Sequence, residues 1–216
     1  MHRGLLFDLD GVIVNTAEYH FLAWKEIAGR LGIPFTRGDN ERLKGLSRMR
    51  SLEVLLDIGE KKLDRGEEER YCEEKNRIYL SYIRKMEKDA ILPGVRNFLH
   101  EAKREGYLLA LGSASKNAGL ILEKLGLTNS FDAVIDGNKV SRTKPDPEVF
   151  VKGASALGME PEKCIVFEDA EAGIRAAHAG GMKAVGIGKR ENLPEADMIL
   201  DSFRGIVPET IESMLI

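Results

Sequence analysis

Apolar residues along this chain gather in short unbroken runs, and each run ends in glycine, serine or acidic residues. Leu5-Leu6-Phe7 comes first and meets Asp8, Asp10 and Gly11 at once. Such a run predicts a strand buried on both faces, as in a parallel α/β sheet. Comparable strands are expected in YLLALGS from residue 107, FDAVIDG from 131, CIVFED from 164, KAVGIG from 183 and MILD from 198. Between them the spacing turns helical. VRNFLHEAKREG stops at Gly106, NAGLILEKLG at Gly126, PEVFVKGASALG at Gly158 and EAGIRAAHAGG at Gly181. Strands and helices alternating in this way predict parallel strands joined by right-handed crossovers.

Residues 16–88 interrupt that rhythm. Phe21, Trp24, Ala28 and Leu31 recur at helical spacing, and Gly32 supplies a stop. A second helical pattern over 40–58 is broken near KGLSR. Residues 60–89 are dense in Glu, Lys and Arg, with Tyr71, Ile78, Tyr82 and Ile83 interspersed, and read as solvated amphipathic helices. Leu92-Pro93-Gly94 marks the return to the alternating pattern. The expected fold class is therefore α/β. A Rossmann-like parallel-sheet core (1–15 and 89–216) carries a small helical domain (16–88) inserted after the first strand.

Composition narrows the function classes. The chain of 216 residues is 43% hydrophobic and 31% charged, ordinary for a globular protein, with room for one core and an insert. A net charge of −3 offers no basic field for nucleic acid. No apolar run approaches the roughly 20 residues of a membrane helix. Met1-His2-Arg3-Gly4 leads straight into the first strand without a signal-peptide core, and Cys72 and Cys164 lack metal spacing. A cytoplasmic monomer with reduced thiols is expected, with no nucleic-acid or membrane partner.

Chemistry gathers where the strands end. Parallel strands share one carboxyl edge, the usual ligand site of open α/β sheets. That edge would collect Asp8 and Asp10, then Ser113 with Ala114-Ser115-Lys116-Asn117, then Lys144, then Glu168 and Asp169. Four carboxylates against one lysine would shift one another's pKa values unless a cation binds. Oxygen ligands without His or Cys favour Mg²⁺ over Zn²⁺. Mg²⁺ with a lysine and a hydroxyl suits a phosphate, against which an aspartate can act as nucleophile while a second carboxyl moves a proton. Each group also has a plainer reading. Ser113, Thr16, Glu168 and Asp169 would serve as helix caps, Lys144 as a surface lysine and His20 as a structural histidine.

DLDGV at 8–12, Ser113, Lys144 and Glu168-Asp169 resemble the dispersed motifs of the haloacid dehalogenase superfamily of aspartyl phosphotransferases, in the same order over nearly the whole chain. The resemblance implies Asp8 as nucleophile and Asp10 as general acid/base. It implies Mg²⁺ held by Asp8, the Asp10 backbone carbonyl, Asp169 and Glu168, and a phosphoryl group held by Ser113, Ala114 and Lys144. The helical insert then resembles the small cap of that superfamily. Within it, DGVIVNTAEYHFLAWKEIA, LKGLSRMRSLEVLL, GSASKNA and EDAEAGI resemble the β-phosphoglucomutase family. Carried over by position, Thr16, His20, Trp24, Lys44, Gly45, Leu46, Arg48 and Ser51 contact a sugar phosphate from the cap side, and Ser115, Lys116 and Asn117 from the core. Asn15 departs from the pattern, since many relatives have Asp there.

A mutase of this kind interconverts β-D-glucose 1-phosphate and glucose 6-phosphate through a bisphosphate. It must park one phosphate while the other reacts, and Arg48 suits a parked dianion. The competing expectations are a sugar-phosphate phosphatase of the same superfamily and a non-catalytic sugar-phosphate-binding module.

Overall fold

The first strand, β1 (Gly4–Phe7), is buried at all four positions and lies at the centre of the sheet. In this computed structural model, which describes residues 4–215 apart from the Met214 side chain, six strands are arranged in the order β3-β2-β1-β4-β5-β6. They are β2 (Leu108–Gly112), β3 (Ala133–Ile135), β4 (Cys164–Glu168), β5 (Lys183–Ile187) and β6 (Met198–Leu200) beside β1. Every pairing is parallel, with Leu6 registered against Ala110 on one side and Val166 on the other. All six strands fall on the expected runs. The order reverses between β1 and β4, so the crevice beyond their carboxyl ends is the topological switch point. Residues 1–3 and 216, the ends of the expected core, lie outside the described residues.

The sheet buries both faces, which explains the unbroken apolar runs. Leu5, Phe7, Leu109, Leu111, Ile165 and Phe167 pack in one cluster with Phe98 and Leu99 of α5 (Val95–Arg104) and Ile121 of α6 (Ala118–Leu125). The Phe7 and Phe167 rings stack at 4.7 Å, with Phe98 edge-on to both. Leu6, Ala110, Val166 and Ala184 point the other way, onto Phe150 of α7 (Glu148–Ala156) and Ile174 of α8 (Glu171–Ala179). Alternation with period two thus persists inside an all-apolar sequence.

Between β1 and α5 come α1 (Ala17–Leu31), α2 (Arg37–Glu41), α3 (Arg48–Ile58) and α4 (Arg65–Ile83). They form the helical cap around their own cluster of Phe21, Trp24, Ile27, Leu52, Leu55 and Cys72. Gly32 ends α1 in the left-handed conformation. The break at KGLSR separates α2 from α3, whose first turn Ser47 caps through Arg50 N–H. Three local details differ from the expectation. Helix α2 starts at residue 37 because Thr36 and Asp39 form a reciprocal capping box. The stretch 60–89 holds one long helix, started by the Asp64–Glu67 box, and a short 3₁₀ turn. A last helix, α9 (Pro208–Leu215), was not expected; it buries Ile211 against the main core. Its signals are slight, a proline in the first turn and two apolar residues four apart. No helix among the described residues is long and apolar enough to cross a membrane. Both cysteines are free and buried.

Candidate active site

Beyond β1 the ladder continues for one more residue: Asp8 N–H donates to Phe167 C=O at 3.0 Å. Beyond β2, Ser113 N–H likewise donates to Ile135 C=O at 2.9 Å. Sheet hydrogen bonds therefore fix the roots of both side chains at the switch point. Gly11 then turns the chain at φ +83°, where a Cβ would run into the Asp169 carboxylate. Glycine is required there twice over, by conformation and by space.

Lys144 is only 2% exposed and is not the surface lysine of the plainer reading. Its Nζ donates to Asp8 Oδ1 and Glu168 Oε1, both at 2.6 Å, and to the Gly112 carbonyl at 3.2 Å. Glu168 is fully buried; its second oxygen accepts from Ala170 N–H at 2.8 Å, and Gly173 leaves the space that the carboxylate fills. Neither Glu168 nor Asp169 caps α8, whose N-cap position is Ala170. Burial pushes the Asp8 carboxyl up to about 7 even though Lys144 pulls it down. Burial, reinforced by Glu168, raises Asp169 well above the usual carboxylate range.

Asp8, Glu168 and Asp169 each offer a carboxylate oxygen within 4.8 Å of the others. Three acidic groups around one lysine, with no nitrogen or sulfur donor among them, leave uncompensated negative charge in a buried place. That donor set fits a hard divalent cation. The charge balance is less lopsided than a count of strand ends suggests, because the cap supplies cations. Lys44 Nζ reaches Asp169 Oδ2 at 3.5 Å while pairing with Glu41 at 2.8 Å.

Asp10 sits in a different environment. Thr16 occupies the N-cap position of α1 but makes no side-chain cap; its hydroxyl donates instead to Asp10 Oδ1 in a very short hydrogen bond. His20, one turn further along α1, brings Nε2 to 3.6 Å from the same oxygen, too long for a hydrogen bond. Burial pushes the Asp10 carboxyl up, but His20, Thr16 and Lys75 outweigh it and hold the group below its ordinary value. Asp8 and Asp10, two residues apart, are thus driven in opposite directions. This is how neighbouring carboxyls acquire separate acid, base or nucleophile roles.

A residue beside Asp10 and His20 was missed in the sequence. Lys75 of α4 is 3% exposed, with Nζ 3.0 Å from His20 Nδ1 and over the rings of Tyr79 and Trp24. An ammonium can only donate, so Nδ1 of His20 accepts and the ring proton sits on Nε2, facing Asp10. Burial, with Arg48 adding to it, brings the Lys75 amine down to about 7. The folded chain therefore binds fewer protons at this site than the unfolded chain between pH 7 and the ordinary lysine value of 10.5. The cost of burial is complete below pH 7 and fades as pH rises toward 10. Lys75→Met is expected to raise Tm by roughly 5–10 °C at pH 6–7 and by little at pH 10, while slowing turnover through the lost His20 partner. Thermal melts across that pH range check it; a variant that melts lower than wild type at pH 6 would contradict it.

A cavity of about 370 Å³ opens between cap and core above these groups. Asp8, Asp10 and Asp169 line its floor, and Ser113, Ala114, Ser115, Lys116 and Asn117 contribute from the loop after β2. His20, Trp24, Lys44, Gly45, Leu46, Arg48 and Ser51 line it from the cap. Of the expected site residues only Thr16, Lys144 and Glu168 do not reach the cavity; they brace Asp8 and Asp10 from behind. Ser113 does not cap α6: its hydroxyl accepts from Ser115 N–H, and Asn117 holds the N-cap position. Arg48 bonds to Asn76 Oδ1 at 2.8 Å and has no carboxylate partner among the described residues. Beside Lys75, Asn76, Tyr79 and Asn40 are among the cavity-lining residues overlooked.

The haloacid dehalogenase-like hydrolase family model matches residues 2–181. This chain belongs to the haloacid dehalogenase-like family. The β-phosphoglucomutase of Bacillus subtilis (strain 168) is 44% identical over 92% of this chain and 88% of its own length. A fructose-1-phosphate phosphatase of Escherichia coli (strain K12) is 34% identical over 86% and 96%. The crystal structure of a β-phosphoglucomutase from Clostridium difficile superposes with a TM-score of 0.95 at 41% identity, covering 100% of this chain and 97% of that one. The chain is accordingly an enzyme of a family whose relatives include proteins named for phosphorylated sugars, and it shares its whole cap-on-core architecture with the Clostridium difficile structure. Relatives as near as these include both a mutase and a phosphatase.

Proposed function

We propose that this protein is a β-phosphoglucomutase, interconverting β-D-glucose 1-phosphate and glucose 6-phosphate through an aspartyl-phosphate and β-glucose 1,6-bisphosphate. The observation that carries the reading is Arg48, a half-buried guanidinium in the wall of the cavity that holds Asp8, held by a neutral amide and paired with no carboxylate among the described residues. A hydrolase that removes a single phosphate has no use for a second anion site. An enzyme that turns a bisphosphate over between two half-reactions must hold the idle phosphate, and a planar guanidinium does so well.

In this reading Asp8 carries the phosphoryl group. The free hydroxyl of the sugar monophosphate attacks phosphorus, the bond to the Asp8 oxygen breaks, and Asp10 takes the hydroxyl proton. After the bisphosphate reorients, Asp8 attacks the other phosphorus and Asp10 returns the proton to the departing sugar oxygen. Ser113 and Ala114 hold the transferring group, with Lys144 supplying positive charge beside Asp8 from behind the cavity wall, while Ser115, Lys116, Asn117 and Arg48 hold the idle one. His20, Trp24, Lys44, Gly45, Leu46 and Ser51 surround the sugar; Thr16, outside the cavity, does not touch it. Thr16 and His20 also keep Asp10 aimed at the reacting oxygen. Mg²⁺, held by Asp8, Asp169, Glu168 and the Asp10 backbone, would supply charge neutralisation between the carboxylates and the phosphoryl oxygens. Positioning and charge carry a phosphoryl transfer of this type. The cap, taken as residues 16–88, keeps water from the phosphorylated aspartate.

Phosphorus NMR of β-glucose 1-phosphate with a trace of the bisphosphate tests the reading. Glucose 6-phosphate should accumulate. Inorganic phosphate accumulating in its place would favour the second reading, a sugar-phosphate phosphatase, which the 34% identical fructose-1-phosphate phosphatase keeps in view. Arg48→Ala should cost roughly 10- to 100-fold in sugar-phosphate turnover, the worth of a charge-assisted hydrogen bond to a phosphate, and much less in hydrolysis of a small phosphate ester. Equal losses on both would remove the parked-phosphate role.

A further inference from the structure

Asn76 stands on α4, half-buried in the cavity wall, between two groups from opposite sides of the cleft. Its single Oδ1 accepts from Arg48 Nη2 of the cap at 2.8 Å and from Asn117 Nδ2 of the core loop at 2.9 Å. The orientation of the three side chains follows from donor chemistry. Guanidinium can only donate, so Asn76 must turn its oxygen toward Arg48. That oxygen then requires a donor from Asn117, which fixes the amide of Asn117 in turn. The chain Arg48, Asn76, Asn117 is therefore ordered from end to end by the charge at one end.

A neutral acceptor matters here. A carboxylate in place of the Asn76 amide would hold Arg48 more tightly but would cancel its charge toward an anion. An amide aligns the guanidinium while leaving its charge available. Nor can the two donors be brought to one oxygen unless cap and core approach, because α3 and α4 belong to the cap and Asn117 to the core loop after β2.

We propose that Asn76 is a positioning residue, which sets Arg48 of the cap in register with Asn117 of the core so that both meet the non-reacting phosphate of a sugar phosphate. The inference rests on the sugar-phosphate reading above. Asn76 acts through its neighbours: it selects ligands that carry a phosphate away from the reacting centre over ligands that do not.

The test compares KM for β-glucose 1-phosphate, measured as total turnover to isomer and inorganic phosphate, with KM for p-nitrophenyl phosphate, which has no second site to fill. In Asn76→Ala the ratio of the two KM values should rise about tenfold. A general loss of structure would lower both activities together and leave the ratio where it was, and a rise of less than threefold overturns the proposal. Asn117→Ala and the double variant complete a cycle. Asn117 also meets the phosphate itself, so the two changes should be partly non-additive, the double variant's ratio falling short of the product of the two single effects; fully multiplicative effects would overturn the shared role. Should Asn76→Ala fail to fold, Asn76→Asp has the same shape and places a carboxylate against Arg48. It should raise the ratio as well, and an unmoved ratio overturns the proposal equally. A wild-type enzyme that turns over no sugar phosphate would strike down the functional reading and this inference with it. A competent wild type with an unmoved variant ratio strikes down this inference alone.

Discussion

Asp8→Asn is expected to abolish turnover, by at least about 10⁴-fold, as removal of a nucleophile from a concerted site does, while leaving the fold intact. The amide has the shape of the carboxyl but cannot form an acyl phosphate by displacement. The thermal stability of the variant is equally telling. Asp8 in the metal-free protein is held up to about 7 by burial, against an ordinary value of 3.8, so the folded state binds more protons there than the unfolded state across that interval. Stability in this site is therefore lost as pH rises from about 4 to 7, and the ionised group is a burden at pH 8. A neutral amide removes that burden, and Lys144 keeps Glu168 as partner at 2.6 Å. In chelator-treated protein at pH 8, Asp8→Asn should thus melt no lower than wild type, and at pH 4 the two should converge. Steady-state assays with melting curves at both pH values check this. An activity loss under a hundredfold would place the nucleophile elsewhere. Gain of stability with loss of function is the usual mark of a site whose charges are arranged for chemistry.

That trade explains which parts of this protein can be read from its residues. The six strands are legible because a sheet covered on both faces needs continuous apolar runs, and turn residues delimit them. Asp8, Ser113 and Glu168 are legible because they follow those runs directly, and parallel strands bring their ends to one edge. Lys144 is harder: nothing local distinguishes it from a surface lysine, and only its place among the strand ends singles it out. Lys75 and Asn76 were overlooked because α4 is dense in charge and reads as solvated. A signal did exist. Cys72, Lys75, Tyr79 and Ile83 form one buried row on α4, and a lysine in that row breaks the apolar stripe. A charged residue on an otherwise apolar face must meet a partner, here His20. Thr16 illustrates the limit of local rules. It holds the N-cap position as its residue type suggests, yet its hydroxyl goes to Asp10, because a half-buried carboxylate six residues back competes for it more strongly than the helix end. Helix α9 escaped for the opposite reason, since eight residues with few apolar positions carry little periodicity.

Lys144→Met should destabilise the protein more than any other single change at the site. The ammonium lies 2.6 Å from both Asp8 Oδ1 and Glu168 Oε1, and all three groups are buried. Methionine matches the length of the lysine stem, so packing against Phe150, over whose ring the ammonium sits at 4.6 Å, is largely kept. What is lost is the charge. Two carboxylates are left facing one another without a cation, and the Gly112 carbonyl loses the donor it had at 3.2 Å. Breaking a buried pair in this way costs about 3–5 kcal/mol, or roughly 10 °C in Tm for a chain of this size. The deficit must depend on pH with a definite sign. Without the lysine, Asp8, already pushed up to about 7 by burial, loses the ammonium that pulls it down, so the folded variant binds extra protons at mildly acidic pH. Its stability then falls as pH rises, and the gap from wild type should be narrow at pH 5 and wide at pH 8. Denaturant titrations at the two values, in chelator, measure the gap directly. A deficit below about 1 kcal/mol at pH 8 would mean that the pair contributes no more than a surface ion pair. In that case the bridge between Asp8 and Glu168 would serve to orient the nucleophile and would add nothing to the fold.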